Sequence, residues 1–191
     1  LCVWAYAGQT NLYHLVREFG DKVEIEVHYC SVFPDAQTKI ENLWRERGSF
    51  EGYGNHVKGV AAKFEDVVVH DDVWRNVRPR SSASPHLFVK AVELLEQDAG
   101  PKSGKAPFGD RLSIKAAKEL RTAFFVEARD IANWGVQATI SEKIGLNFEN
   151  VLKKIETGEA IARLAADYEL AQSLGVKGSP TYFLNEGRQR L

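Results

Sequence analysis

Methionine is absent from this 191-residue sequence, cysteine occurs only twice, and neither sign of charge prevails, with 25 Lys and Arg against 26 Asp and Glu. Each scarcity removes a class of protein. Two cysteines are too few for a multi-bridge secreted scaffold or a four-thiolate zinc site, so their chemistry must be local. A formal net charge of −1 lacks the basic excess by which nucleic acid is held. No run of about 18 apolar residues is present, so no transmembrane helix is expected. The first residues lack the charged-then-apolar pattern of a signal peptide, which makes a soluble, cytoplasmic chain the default expectation. The missing methionine leads us to expect that residue 1 lies downstream of an initiator. Five histidines, His14, His28, His56, His70 and His86, fall at no ligand spacing, and no metal site is expected.

What remains is ordinary globular composition, with 44% hydrophobic and 27% charged residues. The length suits one domain, or a small domain with a second lobe, and suffices to bury a core. Leu12, Leu15, Val16 and Phe19 recur at helical spacing and Gly20 follows as a stop, which predicts a helix from about Cys2 to Phe19. Val23, Ile25, Val27 and Tyr29 alternate with Glu24, Glu26 and His28, which predicts a strand closed by Pro34 and Asp35.

From Ala36 to about Gly175 nearly every periodic segment is helical, including Phe88, Ala91, Val92 and Leu95 behind the Ser84-Pro85 start signal. Further helices are predicted near 114–132, 136–144, 148–155 and 159–174, punctuated by Asn147 and Gly158. Gly100 to Gly109 reads as a loop, whose Lys102 and Lys105 are expected to be solvated. Thr181 to Leu184 reads as a short strand leading through Asn185-Glu186-Gly187 into a hairpin whose partner is expected beyond the sequence. Strand material at both ends with helices between predicts an α/β core interrupted by a helical insertion.

A thiol at a helix amino terminus faces unsatisfied backbone N–H groups and the positive end of the helix dipole, and both favour thiolate over thiol. Free cysteine titrates near 8.5, and cysteines so placed fall to about 3.5–7.5. Cys2 is therefore the candidate nucleophile. The alternative for any cysteine is a small, inert apolar side chain.

The run Cys2-Val3-Trp4-Ala5-Tyr6-Ala7-Gly8 resembles the C-P-W-C-Y-x-G active-site segment of DsbA-like thioredoxin-fold proteins, particularly the FrnE-type dithiol-disulfide isomerases. The likeness continues through Phe124-Phe125-Val126-Glu127-Ala128-Arg129-Asp130-Ile131 and ends in Gly175-Val176-Lys177-Gly178-Ser179-Pro180-Thr181, which is similar to the family's G-V-x-G-[TSV]-P-T. The resemblance implies a thioredoxin fold with a large all-helical domain inserted after the second strand. It divides the chain into a core of residues 1–35 and 175–191 and an insertion of 36–174 whose last helix returns to the core. It further implies a first strand ahead of the cysteine motif, a final strand and helix after Leu191, and a cis Ser179–Pro180 bond beside the nucleophile. Backbone groups free next to such a proline can pair with an extended peptide. Cys2 is then catalytic, with Trp4, Ser179 and Pro180 in the substrate site.

Ala5 stands where the family has its second cysteine. A C-x-x-C pair works because the second thiol attacks the mixed disulfide, which alanine cannot do. A monothiol can still exchange with glutathione or with protein thiols. Cys30, at the end of the predicted strand, lies at the sheet edge where Cys2 is expected and is a candidate resolving thiol, provided the two Cα atoms lie within about 7 Å. Its alternative is a packed apolar cysteine.

The expected activity is thiol/disulfide oxidoreductase or isomerase chemistry, with glutathione as cosubstrate, no tightly bound cofactor, and protein or small-molecule thiols and disulfides as partners. No nucleic acid and no membrane are expected as partners, and a homodimer is the assembly considered. Two other readings stay open. One is a kappa-type glutathione transferase or 2-hydroxychromene-2-carboxylate isomerase, to which Ser81, Ser82, Ser84 and His86 bear a loose resemblance, although Ser84 before Pro85 also reads as a helix cap. The other is a non-catalytic peptide-binding module. Trp44, Trp74 and Trp134 are expected to pack in the helical lobe. His14 is expected about three turns from Cys2, too far for a direct pair.

Overall fold

The computed structural model describes residues 1–100, 106–184 and 189–190, with backbone alone at 21, 189 and 190. Lys102, Lys105 and the turn at Asn185-Glu186-Gly187 lie outside the described residues. Eight α-helices are present among them: α1 Val3–Phe19, α2 Ala36–Trp44, α3 Ser49–Ala61, α4 Ala83–Asp98, α5 Leu112–Arg121, α6 Trp134–Lys143, α7 Phe148–Glu156 and α8 Glu159–Ser173. Two short strands, β1 Phe183–Leu184 and β2 Gln189–Arg190, pair antiparallel. The hairpin partner expected beyond the sequence is therefore found at Gln189–Arg190. No described helix is long and apolar enough to cross a membrane.

Local chemistry explains most boundaries. Asp35 caps α2 by accepting from Thr38 N at 3.1 Å, Asn133 caps α6 from Gly135 N at 2.7 Å, and Asn147 caps α7 from Glu149 N at 2.8 Å. Gly158 turns the chain between α7 and α8 at φ +82°. The start of α4 departs from expectation, because the helix begins at Ala83, and it is the Ser81 hydroxyl that accepts from Ala83 N at 2.9 Å. Ser84 lies inside the first turn and donates instead to Ala132 O at 3.0 Å.

The helix predicted over 114–132 stops earlier. After Arg121 the chain widens into a π-turn over Thr122–Val126, closed by Glu127 N to Thr122 O at 3.1 Å, and reverses at Ala128, whose φ is +50°. The wider turn sets Phe124 and Phe125 into the core with their rings 4.9 Å apart, and burial of each ring is worth about 1.5–3 kcal/mol.

Residues 23–30 run extended and keep the expected alternation of exposure, Val23, Ile25 and Val27 being half-buried and Glu24, Glu26 and His28 exposed. They do not form a ladder strand. A strand is defined by a neighbour that exchanges hydrogen bonds with it, and among the described residues this segment has none. The helices hold it instead: Arg111 Nη1 donates to Ile25 O at 2.9 Å, and Asp167 Oδ2 of α8 accepts from Tyr29 N at 2.9 Å.

The core lies among α3, α4, α5, α7 and the π-turn, and centres on Trp74, Phe88, Val92, Phe124 and Val151, all fully buried. Trp74 stands edge-on to Phe124 and to Tyr53, at 5.4 and 5.5 Å between ring centroids. Trp44 packs on Tyr53 and His56. Trp134 departs from expectation, since the first residue of α6 points outward and is 53% exposed.

Candidate active site

Cys2 occupies the N-cap of α1 with extended backbone angles, and its carbonyl accepts the first helical hydrogen bond, from Tyr6 N at 3.1 Å. The side chain makes no capping bond to its own helix. It reaches across the chain, and the thiol donates to Ser179 O at 3.0 Å. The N–H groups of this first turn lack intrahelical partners, and the positive end of the helix dipole lies at this end.

The segment bearing Ser179 is delivered by α8. That helix ends at Ser173, Gly175 turns the chain at φ +63°, and Val176 N closes the turn on Ala171 O at 2.8 Å. The Ser179–Pro180 peptide is cis, as the motif resemblance implied. Close approach to α1 depends on Gly8: a Cβ there would meet Tyr182 Oη at 2.9 Å and Pro180 Cγ at 3.8 Å.

Around the thiol, Tyr6 stacks on Phe125 at 4.7 Å with the rings 2° from parallel, which pins the first turn of α1 to the π-turn. Trp4 is 43% exposed. Its ring stands edge-on to Phe64 at 6.2 Å, with Lys63 Nζ 5.9 Å from the ring centre. Burial, with negative charge on Cys2 adding to it, raises the phenol pKa of Tyr53 in α3. Cys30 ends the extended segment 23–30 and is partly buried. Burial first, then the charge of Cys2, push its thiol pKa up, while a hydrogen bond from the Ser179 hydroxyl favours its thiolate. Both cysteines are free thiols in this structure.

The predicted residues Cys2, Ser179 and Pro180 are brought together, and Trp4 flanks them on the first turn of α1. His14 is exposed farther along that helix. Ser82 donates to Phe33 O at 3.1 Å, and Ser84 accepts from Gln137 Nε2 at 2.9 Å, so these serines bind the fold together.

Sequence reasoning missed Tyr53, Phe64 and the support beneath Cys30. There the side chains of Lys90 and Asp167 are only 3% and 6% exposed and pair at 2.9 Å. Asp167 also accepts from Tyr29 N and meets His28 Nδ1 at 2.8 Å. A lone lysine in the run Phe88-Val89-Lys90-Ala91-Val92 was the available signal, because a charge amid apolar neighbours is buried only if paired. Next to it, His86 lies between Tyr29 and Tyr168, its ring centroid 4.6 Å from that of Tyr29 and its Nδ1 3.3 Å from Tyr168 Oη. Burial, with the positive charges of Arg121 and Lys90 adding, lowers its pKa to about 3.

A helix-borne cysteine held against a cis-proline segment is a family-level arrangement, and the model of the family described as thioredoxin matches residues 1–190. The chain belongs to the thioredoxin family. Comparison with curated proteins gives no match. Among solved structures, this thioredoxin-family chain is similar to a proposed protein disulfide isomerase from Nitrosomonas europaea, with TM-score 0.71, 13% identity, and coverage of 100% of this chain and 83% of that one. It is also similar to the cytosolic disulfide reductase DsbM from Pseudomonas aeruginosa, with TM-score 0.69 and 22% identity over 100% of this chain and 84% of DsbM. A structure of DsbM with GSH gives TM-score 0.68 and 20% identity, covering 100% and 85%. At these identities the likeness is one of fold: a thioredoxin-type α/β architecture carrying a large helical insertion.

Proposed function

We propose that this thioredoxin-family chain is a thiol/disulfide oxidoreductase or isomerase in which Cys2 is the attacking thiol. The observation that carries the reading is the position of Cys2 at the N-cap of α1, with its sulfur 3.0 Å from Ser179 O beside the cis-proline. The Cys2 thiolate attacks one sulfur of a substrate disulfide, a new S–S bond forms, and the other substrate sulfur leaves as thiolate and takes up a proton. Glutathione or a protein thiol is the exchange partner. A neighbour of the same fold, DsbM, has been solved with GSH, which supports that choice.

In this reading residues 1–35 and 175–191 form the redox core, and the helical stretch 36–174 walls the site with Tyr53 and Phe64. Trp4, Ser179 and Pro180 receive the substrate. The cytosolic description of DsbM supports a reducing compartment. The test is the rate at which excess glutathione reduces a glutathionylated peptide in the presence of the protein. Cys2→Ser is expected to fall to the uncatalysed background, and a variant that kept the wild-type rate would overturn the assignment.

A further inference from the structure

We propose that Lys63, held over the ring of Trp4 at the rim of the thiol site, is the cation that selects carboxylate-bearing low-mass disulfides and thiols of the glutathione class. The inference rests on the Cys2 reading above and deepens it, from which sulfur attacks to which substrate is taken.

Lys63 follows the end of α3 and is exposed, in the turn that also carries Phe64. Its Nζ stands 5.9 Å from the centre of the Trp4 ring, and that ring is set by its edge-on contact with Phe64, at 6.2 Å between centroids. A cation over an indole is attracted by the negative face of the ring, so a long, flexible side chain gains a preferred place. Trp4 lies two residues beyond Cys2, within about 7.6 Å between Cα atoms, since each trans peptide step spans about 3.8 Å. Among the described residues no carboxylate pairs with Lys63. Lys58, on the last turn of α3, is engaged by Asp71, whereas Glu65 and Asp66, exposed just beyond Lys63, make no ion pair with it. The Lys63 ammonium is therefore free to take an incoming anion.

The reach suits a small peptide. A residue of extended chain spans about 3.3–3.6 Å, so a carboxylate one or two residues from the substrate sulfur comes within range of an ammonium lodged on Trp4 while that sulfur meets Cys2. The amino end of α1 adds its positive dipole in the same sense. A tripeptide thiol with a carboxylate at each end meets these demands, whereas a neutral or cationic disulfide finds the thiolate but no partner for the ammonium. In the exchange the Cys2 thiolate attacks one sulfur of the disulfide and the Cys2 mixed disulfide forms. The other half leaves as thiolate and takes up a proton. Lys63 makes and breaks no bond in this step; it favours encounter with the anionic substrate and fixes its register.

The rate of mixed-disulfide formation on Cys2 at neutral pH, read by intact mass after acid quench, tests this with three symmetrical disulfides: oxidised glutathione, which is anionic, 2-hydroxyethyl disulfide, which is neutral, and cystamine, which is cationic. In Lys63→Gln the ratio of the glutathione rate to the hydroxyethyl rate is expected to fall roughly two- to fivefold, the size of a solvent-exposed ion pair. Lys63→Arg keeps the charge and the ring contact and is expected to restore most of the ratio. Lys63→Glu is expected to lower it further and to raise the cystamine rate. In about 1 M KCl, where the screening length is about 3 Å, the wild-type ratio is expected to approach that of Lys63→Gln. Far-UV circular dichroism establishes that each variant folds. A ratio that is the same in the wild type and Lys63→Gln, or that falls as far in Lys63→Arg as in Lys63→Gln, overturns the role of Lys63, while the Cys2 reading stands so long as the neutral disulfide still labels Cys2. If none of the three disulfides forms an adduct on Cys2, both readings fall.

Discussion

The Cys2 thiol donates to the carbonyl oxygen of Ser179 at 3.0 Å, across 177 positions of sequence. A hydrogen bond from the Ser179 side chain also favours the Cys30 thiolate, against the burial that raises its pKa, so one residue bears on both sulfurs. Ser179→Ala separates the two contacts, because it keeps the carbonyl that Cys2 uses and removes the hydroxyl that favours the Cys30 thiolate. The Cys30 titration is therefore expected to move to higher pH. The check is the pH dependence of iodoacetamide labelling at Cys30, measured in a Cys2→Ser background with and without Ser179→Ala. An unchanged profile would remove the hydroxyl from the account.

How much of this site the sequence disclosed depended on how local each signal was. Cys2 and the Gly178-Ser179-Pro180 segment were legible because each sits in a short run with its own backbone consequence, a helix start in one case and a proline turn in the other. The helices after Ala36 followed from their 3.6-residue period and their caps. Residues 23–30 showed strand alternation, but a ladder also needs a neighbour, which periodicity within one segment cannot supply. The end of α5 was hidden because Phe124 and Phe125 continue an apolar pattern that suits an α-turn and a π-turn equally. Tyr53 and Asp167 left no mark because their roles arise only when α3 and α8 dock.

The buried pair of Lys90 and Asp167 leads to a stability prediction. Lys90→Met removes one partner and leaves the Asp167 carboxylate in a nearly dry site, a change that typically costs about 3–5 kcal/mol. The urea midpoint is expected to fall accordingly. Since Asp167 then loses the cation that balances it while holding Tyr29 N, protection of the Tyr29 amide against hydrogen exchange is expected to drop as well. A midpoint within error of the wild type would mean that the pair is solvated in practice.

His86 sets a pH dependence. Its pKa in the folded protein is lowered from 6.5 to about 3, so between those values the unfolded chain binds a proton that the folded one refuses. Stability from this residue is present above about pH 6.5 and is lost progressively as pH falls toward 3. Urea unfolding at pH 7.5, 5.5 and 4.5 (chosen to bracket about 6.5) should show a shallower decline in His86→Gln than in the wild type. Parallel declines would show that other groups carry the acid sensitivity.

Gly52, in the first turn of α3, has no space for a side chain: a Cβ there would lie 1.7 Å from Arg47 O. The obstructing atoms are the Arg47 backbone, which cannot yield as a flexible side chain would. Gly52→Ala is expected to destabilise by at least the 1–3 kcal/mol typical of overpacking, read as a fall in melting temperature. Gly59→Ala, where no atom lies within 4 Å of the added Cβ, is the control and is expected to be neutral or slightly stabilising. Equal melting temperatures for the two variants would contradict this geometry.

The 177-residue separation of Cys2 and Ser179 also bears on when the site comes into being. Contacts between residues so far apart raise contact order and form only after the intervening chain has been drawn together, and here that drawing-together is the docking of helices. Until α8 packs against the extended segment, Cys2 lies outside its finished pocket as a bare thiol. Sulfur reactivity therefore tracks the progress of folding itself, and the interval before α8 docks is when this cysteine is most exposed to adventitious oxidation.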